Sequence, residues 1–330
     1  MNTLLTRPLR SAHTMPALLA TMMTTCLLTA PAVLAADNEM QPPGQIGAPA
    51  GSGRWPAVAE SRADFRTHTL YRPATLPAGA LPLLVWGNGG CSDNGLAHSL
   101  FLREIASHGY VVIALGHARS EPPTTRATPA NPPANPPAPR AGPPPAATQD
   151  ATDVAQMSEA IVWATARNAQ TGDMLYGHID TSRVAVAGHS CGGLQAIKMS
   201  ADPRIRTTMI FDSGVYNTPG GRSSIKVGKN ELANLHGPIA YFTGGPTDIA
   251  HANAVDDVSR ITKVPLFFGW LPVGHGGTFS APNGGDWAAV AVHWLDWQLK
   301  GQAEAGRWFS GQDCTLCRDQ RWTIEHPVTR

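Results

Sequence analysis

Short apolar runs rich in β-branched and aromatic residues alternate with longer amphipathic stretches along most of the chain. The short runs predict strands at residues 81–86, 110–115, 184–187, 207–211, 239–242 and 264–270. The longer stretches, with apolar residues at helical spacing, predict helices at residues 95–108, 151–168, 193–200, 250–261 and 286–300. Strands without polar interruptions are typical of a parallel sheet that is buried on both faces. We therefore expect an α/β protein with a mostly parallel central sheet and helices on both faces.

Two segments depart from this alternation. Residues 62–71 alternate between polar and apolar positions, which predicts an antiparallel strand at an edge of the sheet. Residues 119–148 contain 11 of the chain's 29 prolines, and such a run neither pairs within a sheet nor continues a helix. We predict an extended insertion there, interrupting a single domain over residues 61–330. Two interpretations stay open, a flap over a ligand site at the sheet edge and a surface insertion.

The N-terminal segment has the pattern of a secretory signal. Arg7 and Arg10 precede an apolar stretch at residues 15–34, and residues 33–35 match a cleavage site. This pattern predicts a cleaved signal peptide over residues 1–36, and the alternative is a transmembrane anchor. Cleavage would leave a secreted or periplasmic protein with no stable membrane association. Residues 37–60 are predicted to form an arm without packed structure.

The sequence Gly-His-Ser-Cys-Gly at residues 188–192 lies between the strand predicted at 184–187 and the helix predicted at 193–200. A sharp strand-to-helix turn lifts a serine clear of the backbone, and it closes only when small residues flank the serine at two positions on either side. Ser190 is therefore a candidate nucleophile, and the alternative is a glycine-rich turn with an idle serine. The turn geometry is expected to point the neighbouring His189 away.

A nucleophilic serine needs a base, and a histidine accepts and returns a proton near neutral pH. His275 is the best candidate because it follows the last predicted strand on a glycine-rich loop, with His117 in reserve. The base needs an acid to hold its orientation. Asp248 and Asp212 each follow a predicted strand and fit the chain order serine, acid, histidine. We favour Asp248, although either aspartate has a structural alternative as a helix cap or turn residue.

The negative oxygen that forms during acyl transfer needs backbone N–H donors. One is expected from Cys191, the residue after the candidate nucleophile. The second is expected from the loop Gly-Asn-Gly-Gly-Cys at residues 87–91, where Gly90 and Cys91 are equally good candidates.

The chain has 330 residues, of which 42% are hydrophobic, and a formal net charge of +1. This near-neutral charge gives no electrostatic basis for binding nucleic acid or an anionic membrane.

Four cysteines follow the signal, and an even number in an exported chain predicts two disulfides, which could be connected in three ways. Cys314 and Cys317 are predicted to form a local staple. Cys91 and Cys191 lie on the two donor loops, where a disulfide would fix the loop geometry; the alternative is two buried free thiols.

The chain resembles the α/β-hydrolase superfamily, and within it the secreted bacterial serine esterases of the cutinase, polyesterase and dienelactone-hydrolase-like group. The matching segments are residues 188–193, 87–91, 244–252 and 273–275, followed by a C-terminal helix at 288–299 near a small disulfide. The resemblance covers most of residues 60–317 and implies an α/β-hydrolase fold with the order Ser, Asp, His. Dienelactone hydrolases use a cysteine nucleophile, and polyesterases place an aromatic residue in the donor loop and methionine after the serine. In this chain the candidate nucleophile is Ser190, the loop at residues 87–91 has no aromatic residue, and Cys191 follows the serine. Because of these differences, we do not predict polyester cleavage.

Together these residues predict a secreted serine hydrolase that cleaves carboxylic esters through an acyl-enzyme, without a metal or cofactor. Whether the ester substrate is small or polymeric stays open. One alternative is a peptidase or acyltransferase with the same three residues. Another is a catalytically silent domain that acts as a surface or carbohydrate-binding module, using aromatic residues such as Trp86 and Trp270. The tryptophans at 287, 294 and 297 recur at roughly helical spacing, which is more typical of core packing.

Overall fold

A ten-stranded sheet forms the centre of the part of the chain that the computed structural model describes, residues 45–119, 151–218 and 225–328. In chain order the strands are β1 (Gln45–Ala50), β2 (Ala57–Ser61), β3 (His68–Pro73), β4 (Leu81–Gly87), β5 (Val111–Leu115), β6 (Ile179–His189), β7 (Ile205–Phe211), β8 (Ile239–Thr243), β9 (Leu266–Trp270) and β10 (Thr323–His326). The helices are α1 (Ser99–Ser107), α2 (Val154–Ala169), α3 (Cys191–Met199), α4 (His251–Arg260), α5 (Gly285–Lys300), α6 (Ala303–Gly306) and α7 (Thr315–Arg318).

The strand order across the sheet is β1-β2-β3-β5-β4-β6-β7-β8-β9-β10. The six strands from β5 to β9 are parallel, whereas β1, β2 and β3 at one side and β10 at the other are antiparallel to their neighbours. The expectation of an α/β protein with a mostly parallel sheet is therefore confirmed.

Alternate residues of the central strands enter two separate hydrophobic cores. In β4, Leu84 and Trp86 pack in the core that contains α1 and α5, and Leu83 and Val85 pack in the core that contains α2 and α3. All four side chains have no exposed surface. Because successive side chains point to opposite faces and helices cover both, each position must be apolar. This burial explains why the central strands read as uninterrupted apolar runs.

The expectation of an unpacked arm at residues 37–60 is wrong for residues 45–60. β1 pairs with β2, and β2 pairs in turn with β3. Ala57, Val58 and Ala59 are fully buried, and Arg103 of α1 donates a hydrogen bond of 2.8 Å to the carbonyl of Ile46. The segment lacks a long apolar run because small side chains suffice beneath α1. Its order comes from pairing with an existing sheet edge.

The antiparallel strand predicted at residues 62–71 begins later and lies elsewhere in the sheet. Backbone hydrogen bonds from Phe65 to Arg62 and from His68 to Phe65 form turns, so β3 begins only at His68. β3 is also not an edge strand, because β1 and β2 lie outside it. The predicted signal peptide and all but the first residue of the proline-rich insertion lie outside the described residues, and both stay predictions.

The C-terminal segment adds β10 to the sheet, where Thr323 lies opposite Trp270 of β9. Before it, a disulfide joins Cys314, the N-cap of α7, to Cys317 within that helix, as predicted. Across the described ranges, no helix combines the length and the apolar character needed to cross a membrane.

Candidate active site

Ser190 occupies the turn between β6 and α3 in a backbone conformation that residues other than glycine rarely adopt, with φ 52° and ψ −117°. Such a conformation costs on the order of 1–3 kcal/mol and persists only where its surroundings enforce it. Two glycines permit the turn, because a Cβ on Gly188 would collide with the backbone of Gly192 and one on Gly192 would collide with Gly87. The Ser190 amide donates to the carbonyl of Phe211 at 3.0 Å. The serine hydroxyl is thereby presented at a sharp, fixed bend.

The structure brings Ser190, His275 and Asp248 into one hydrogen-bonded chain. His275 Nε2 lies 2.9 Å from Ser190 Oγ, and His275 Nδ1 lies 2.6 Å from Asp248 Oδ1. A carboxylate can only accept, so Nδ1 carries the hydrogen and the Nε2 lone pair faces the serine hydroxyl. The three residues follow β6, β8 and β9, whose carboxyl ends meet at one edge of the sheet. Ligands bind at this edge in open α/β sheets.

Asp248 is ionised because hydrogen bonds outweigh its burial. Its side chain has no exposed surface, and burial by itself raises the pKa of a carboxyl group. The hydrogen bond from His275 and the amides of Ala250 and Gly244, at 2.9 and 3.2 Å from its two oxygens, hold the pKa of Asp248 below its ordinary value. A negative charge therefore stands behind the imidazole at neutral pH.

Asp212, the rival acid, is also buried beside the site but does not bind His275. Its Oδ2 accepts a hydrogen bond of 3.2 Å from Trp287 Nε1, and the imidazole nitrogen His189 Nε2 lies 3.9 Å from the same oxygen. Burial, followed by the charge of Asp248, raises the pKa of Asp212 to about 9. Asp212 is therefore protonated at neutral pH, and the geometry assigns the contact with His275 to Asp248.

The raised pKa of Asp212 gives a test by stability. Between its ordinary pKa of 3.8 and about 9, the folded protein retains a proton that the unfolded chain has released. The free energy of unfolding therefore falls as the pH rises through this window. Asp212→Asn carries no such proton, so its Tm relative to the parent protein is expected to be higher at pH 8 than at pH 5. An equal Tm difference at both pH values would contradict the assigned protonation.

The loop after β4 forms a short 3-10 turn over Gly89–Cys91, which distinguishes its two candidate donors. The Cys91 amide donates to the carbonyl of Asn88 at 3.1 Å. Because the turn already uses the Cys91 N–H, Gly90 is the better of the two candidates for the second oxyanion donor. Gly90 has φ 64° and open space beside its Cα. The amides of Gly90 and Cys191 remain the predicted donors.

Asn88 holds this loop in place, a role that was not predicted from the sequence. It is fully buried, and its Nδ2 donates to the carbonyls of Asn94 at 3.0 Å and Leu115 at 2.6 Å. Its Oδ1 accepts from Trp86 Nε1 at 3.1 Å. The available signal was a polar residue directly after a fully apolar strand, because such a residue must find buried hydrogen-bond partners.

A disulfide joins Cys91 of this loop to Cys191 at the start of α3, with a Cα–Cα distance of 5.2 Å. The prediction of a bridge between the two loops is confirmed, and the alternative of two free thiols is excluded in this structure. The bridge closes a sequence separation of 100 residues. It ties the candidate donor loop to the residue that follows Ser190.

Removing this disulfide is expected to destabilise the fold strongly. In the chain-entropy model, a bridge closing about 100 residues contributes roughly 4–5 kcal/mol to the free energy of unfolding, and one closing three residues contributes far less. The matched pair is Cys91→Ala with Cys191→Ala, compared with Cys314→Ala with Cys317→Ala. Denaturant unfolding measures both. Equal losses of stability in the two double variants would contradict this account.

A small open cleft lies beside the serine hydroxyl. Its lining residues are Ser190, Leu194, Asp212, Ser213, Gly214, Tyr216, Ile249, Ala250, Asn253 and His275. Tyr216 and Ile249 keep 37% and 79% of their surface exposed, and Val273 close to His275 in the chain keeps 41%. The cleft therefore has exposed apolar side chains close to the serine hydroxyl.

His117, the reserve base, has a different partner. Its Nδ1 lies 2.7 Å from Asp93 Oδ1, and Arg119 also binds this carboxylate. Within the described ranges, no group of three or more His, Cys, Asp or Glu side chains is arranged to hold a metal ion.

No protein-family model matches this sequence, and no curated protein matches it at a significant level. The arrangement of Ser190, His275 and Asp248 is therefore the main indication of a function.

Proposed function

We propose that this chain is a serine hydrolase with the α/β-hydrolase fold. The observation that carries the proposal is the unbroken hydrogen-bond chain from Asp248 through both nitrogens of His275 to the hydroxyl of Ser190 on its strained turn. Further support comes from the parallel sheet, at whose carboxyl edge all three residues lie. Within this class, we propose that the chain is a carboxylic ester hydrolase acting through Ser190.

The reaction follows from the positions of these groups. His275 Nε2 takes the proton of Ser190 Oγ as this oxygen bonds to the carbonyl carbon of the ester, and the carbonyl electron pair moves to its oxygen. The amides of Gly90 and Cys191, with the N-terminus of α3, stabilise the resulting negative charge. Asp248 stabilises the imidazolium without taking its proton.

The intermediate then collapses with cleavage of the bond between carbon and the alcohol oxygen. The imidazolium of His275 gives its proton to the departing alcohol, and the acyl group stays on Ser190. Water attacks this acyl-enzyme with His275 again acting as the base. Release of the carboxylic acid restores the serine hydroxyl.

The surroundings of the serine favour an ester with an apolar acyl group. The exposed side chains of Tyr216 and Ile249 border the cleft that contains the serine and offer apolar surface within reach of the reacting carbon. The cleft itself is small and open, which favours short groups or a chain lying along the surface rather than one that enters a deep tunnel. The predicted signal peptide supports action outside the cytoplasm.

A panel of p-nitrophenyl esters with acyl chains of increasing length, run beside the matching p-nitroanilides, tests the proposed activity. The purified exported chain is expected to release p-nitrophenol from the esters, and faster from them than p-nitroaniline from the anilides. Ser190→Ala is the control for background hydrolysis. Faster turnover of the anilides would favour a peptidase, and no release above this control with any ester would contradict the proposal.

A further inference from the structure

His189, between the last buried residues of β6 and Ser190, reaches across to the loop that carries the candidate base. Its Nε2 lies 2.9 Å from the backbone carbonyl oxygen of His275. A carbonyl oxygen can only accept a hydrogen bond, so Nε2 of His189 must carry the hydrogen and donate it. The side chain is only 13% exposed, which shields this bond from competing water.

His189 makes this contact as a neutral ring. Burial lowers its pKa to about 4, partly opposed by the hydrogen bond to the His275 carbonyl. Its Nδ1 is buried, and no residue of the described ranges binds it. This nitrogen faces Gly89, where a Cβ would collide with the ring. A neutral ring at this place adds no charge that would oppose protonation of His275 during the reaction.

The ring is also packed on several sides. Its centroid lies 5.2 Å from that of His98, 5.0 Å from that of Phe279 and 5.2 Å from that of His275. His189 therefore fills the space between the loop at residues 87–91 and the loop that carries His275. Packed on these sides, the ring has little freedom to turn, and its Nε2–H stays directed at the carbonyl.

The loop that carries His275 needs such an anchor. Gly274 and Gly277, on either side of His275, have φ values of 71° and 52°, a region in which glycine is freer than other residues. Asp248 holds the imidazole through Nδ1, and Gly244 holds the backbone through the Gly274 amide at 2.9 Å. The bond from His189 fixes the carbonyl of His275 itself, which the other two contacts leave unrestrained.

We propose that His189 is a positioning residue that acts through His275, holding its backbone so that Nε2 stays within reach of the Ser190 hydroxyl. The proposal rests on the proposed function of these two residues. A base displaced by about 1 Å costs up to about 10²-fold in rate. His189 itself is not one of the residues that line the cleft beside the serine. Loss of the His189 donor should therefore lower kcat and leave KM unchanged.

Two variants separate the donor from the shape of the ring. His189→Phe keeps an aromatic ring but removes the N–H, and His189→Gln places an amide N–H close to the position of Nε2. For p-nitrophenyl butyrate, kcat of His189→Phe is expected to fall by about 10- to 100-fold with KM within about twofold of the parent. His189→Gln is expected to regain most of this loss. His189→Leu gives the same comparison if the phenylalanine variant does not fold.

The outcomes are distinct when Tm is measured on every variant. Parent-like kcat in His189→Phe, or equal losses in His189→Phe and His189→Gln at equal Tm, would overturn the positioning role and leave the function of Ser190 intact. A loss carried mainly by KM would also overturn it. Equal activity in the parent and in Ser190→Ala, measured beside them, would overturn the proposed function and this inference with it.

Discussion

Replacing Ser190 with alanine is expected to lower kcat for ester hydrolysis by about 10⁴-fold or more, with little change in Tm. The alanine retains the fold but leaves no oxygen to form the acyl-enzyme, and only the donors and the binding cleft remain to assist attack by water. Removing the hydroxyl of Ser190 leaves unchanged the two glycines that allow the turn, Gly188 and Gly192. Steady-state turnover of p-nitrophenyl butyrate measures the loss.

Ser213 offers the matched control because it is a second serine of the same cleft. Its hydroxyl donates to the backbone carbonyl of Ser190 at 2.6 Å rather than to an imidazole. Ser213→Ala is therefore expected to lower kcat far less than Ser190→Ala. A kcat in Ser190→Ala within tenfold of the parent would show that another group performs the reaction.

Asp248→Asn is expected to lower kcat by about 10⁴-fold, as loss of the acid does in comparable sites. An asparagine amide group facing His275 Nδ1 favours the tautomer with hydrogen on Nε2, and this tautomer cannot accept the proton of Ser190. The negative charge that stabilises the imidazolium is lost as well. Turnover of the same ester at pH 7 and Tm together separate this loss from unfolding.

The control for this change is the same substitution at the neighbouring carboxyl group. Asp212 is already uncharged at neutral pH, and an asparagine there can still accept from Trp287. Asp212→Asn is therefore expected to cause a much smaller loss than Asp248→Asn. The reverse ranking would make Asp212 the acid and contradict the geometry described above.

The central strands were predictable because their local sequence carries the whole signal. β4 and β5 are buried on both faces, so their residues are apolar throughout. β1, β2 and β10 were not predicted, because outer strands have polar, small or glycine residues and gain their order by pairing with a neighbour. Such pairing depends on residues distant in sequence, which no local pattern reports.

Part of the site could be predicted from the order of residues along the chain. Ser190 and His275 follow from the turn sequence and from a histidine after the last parallel strand. The choice between Asp248 and Asp212 could not be settled in this way, because both follow neighbouring strands of the sheet. The choice of acid depends on a hydrogen bond to Asp212 from Trp287 of α5, 75 residues later in the chain, and on the backbone turn that contains Asp248.

Other details of the site depend on contacts that sequence order does not contain. The 3-10 turn that occupies the Cys91 amide forms because Asn88 is held by carbonyls up to 27 residues away. The contact between His189 and His275 spans 86 residues, and it requires the base loop to fold back over the turn. A turn sequence shows that His189 stands beside the serine, but not which loop will cover its ring.

Covalent labelling with a fluorophosphonate, followed by peptide mass spectrometry, shows whether His275 activates the hydroxyl of Ser190. The reagent requires a serine hydroxyl that is activated by a base, and it needs no knowledge of the natural substrate. One adduct is expected, on the peptide that contains Ser190, and it should form far more slowly in His275→Ala. A folded protein that carries no adduct on Ser190, or that is labelled as fast without the imidazole of His275, would contradict the account.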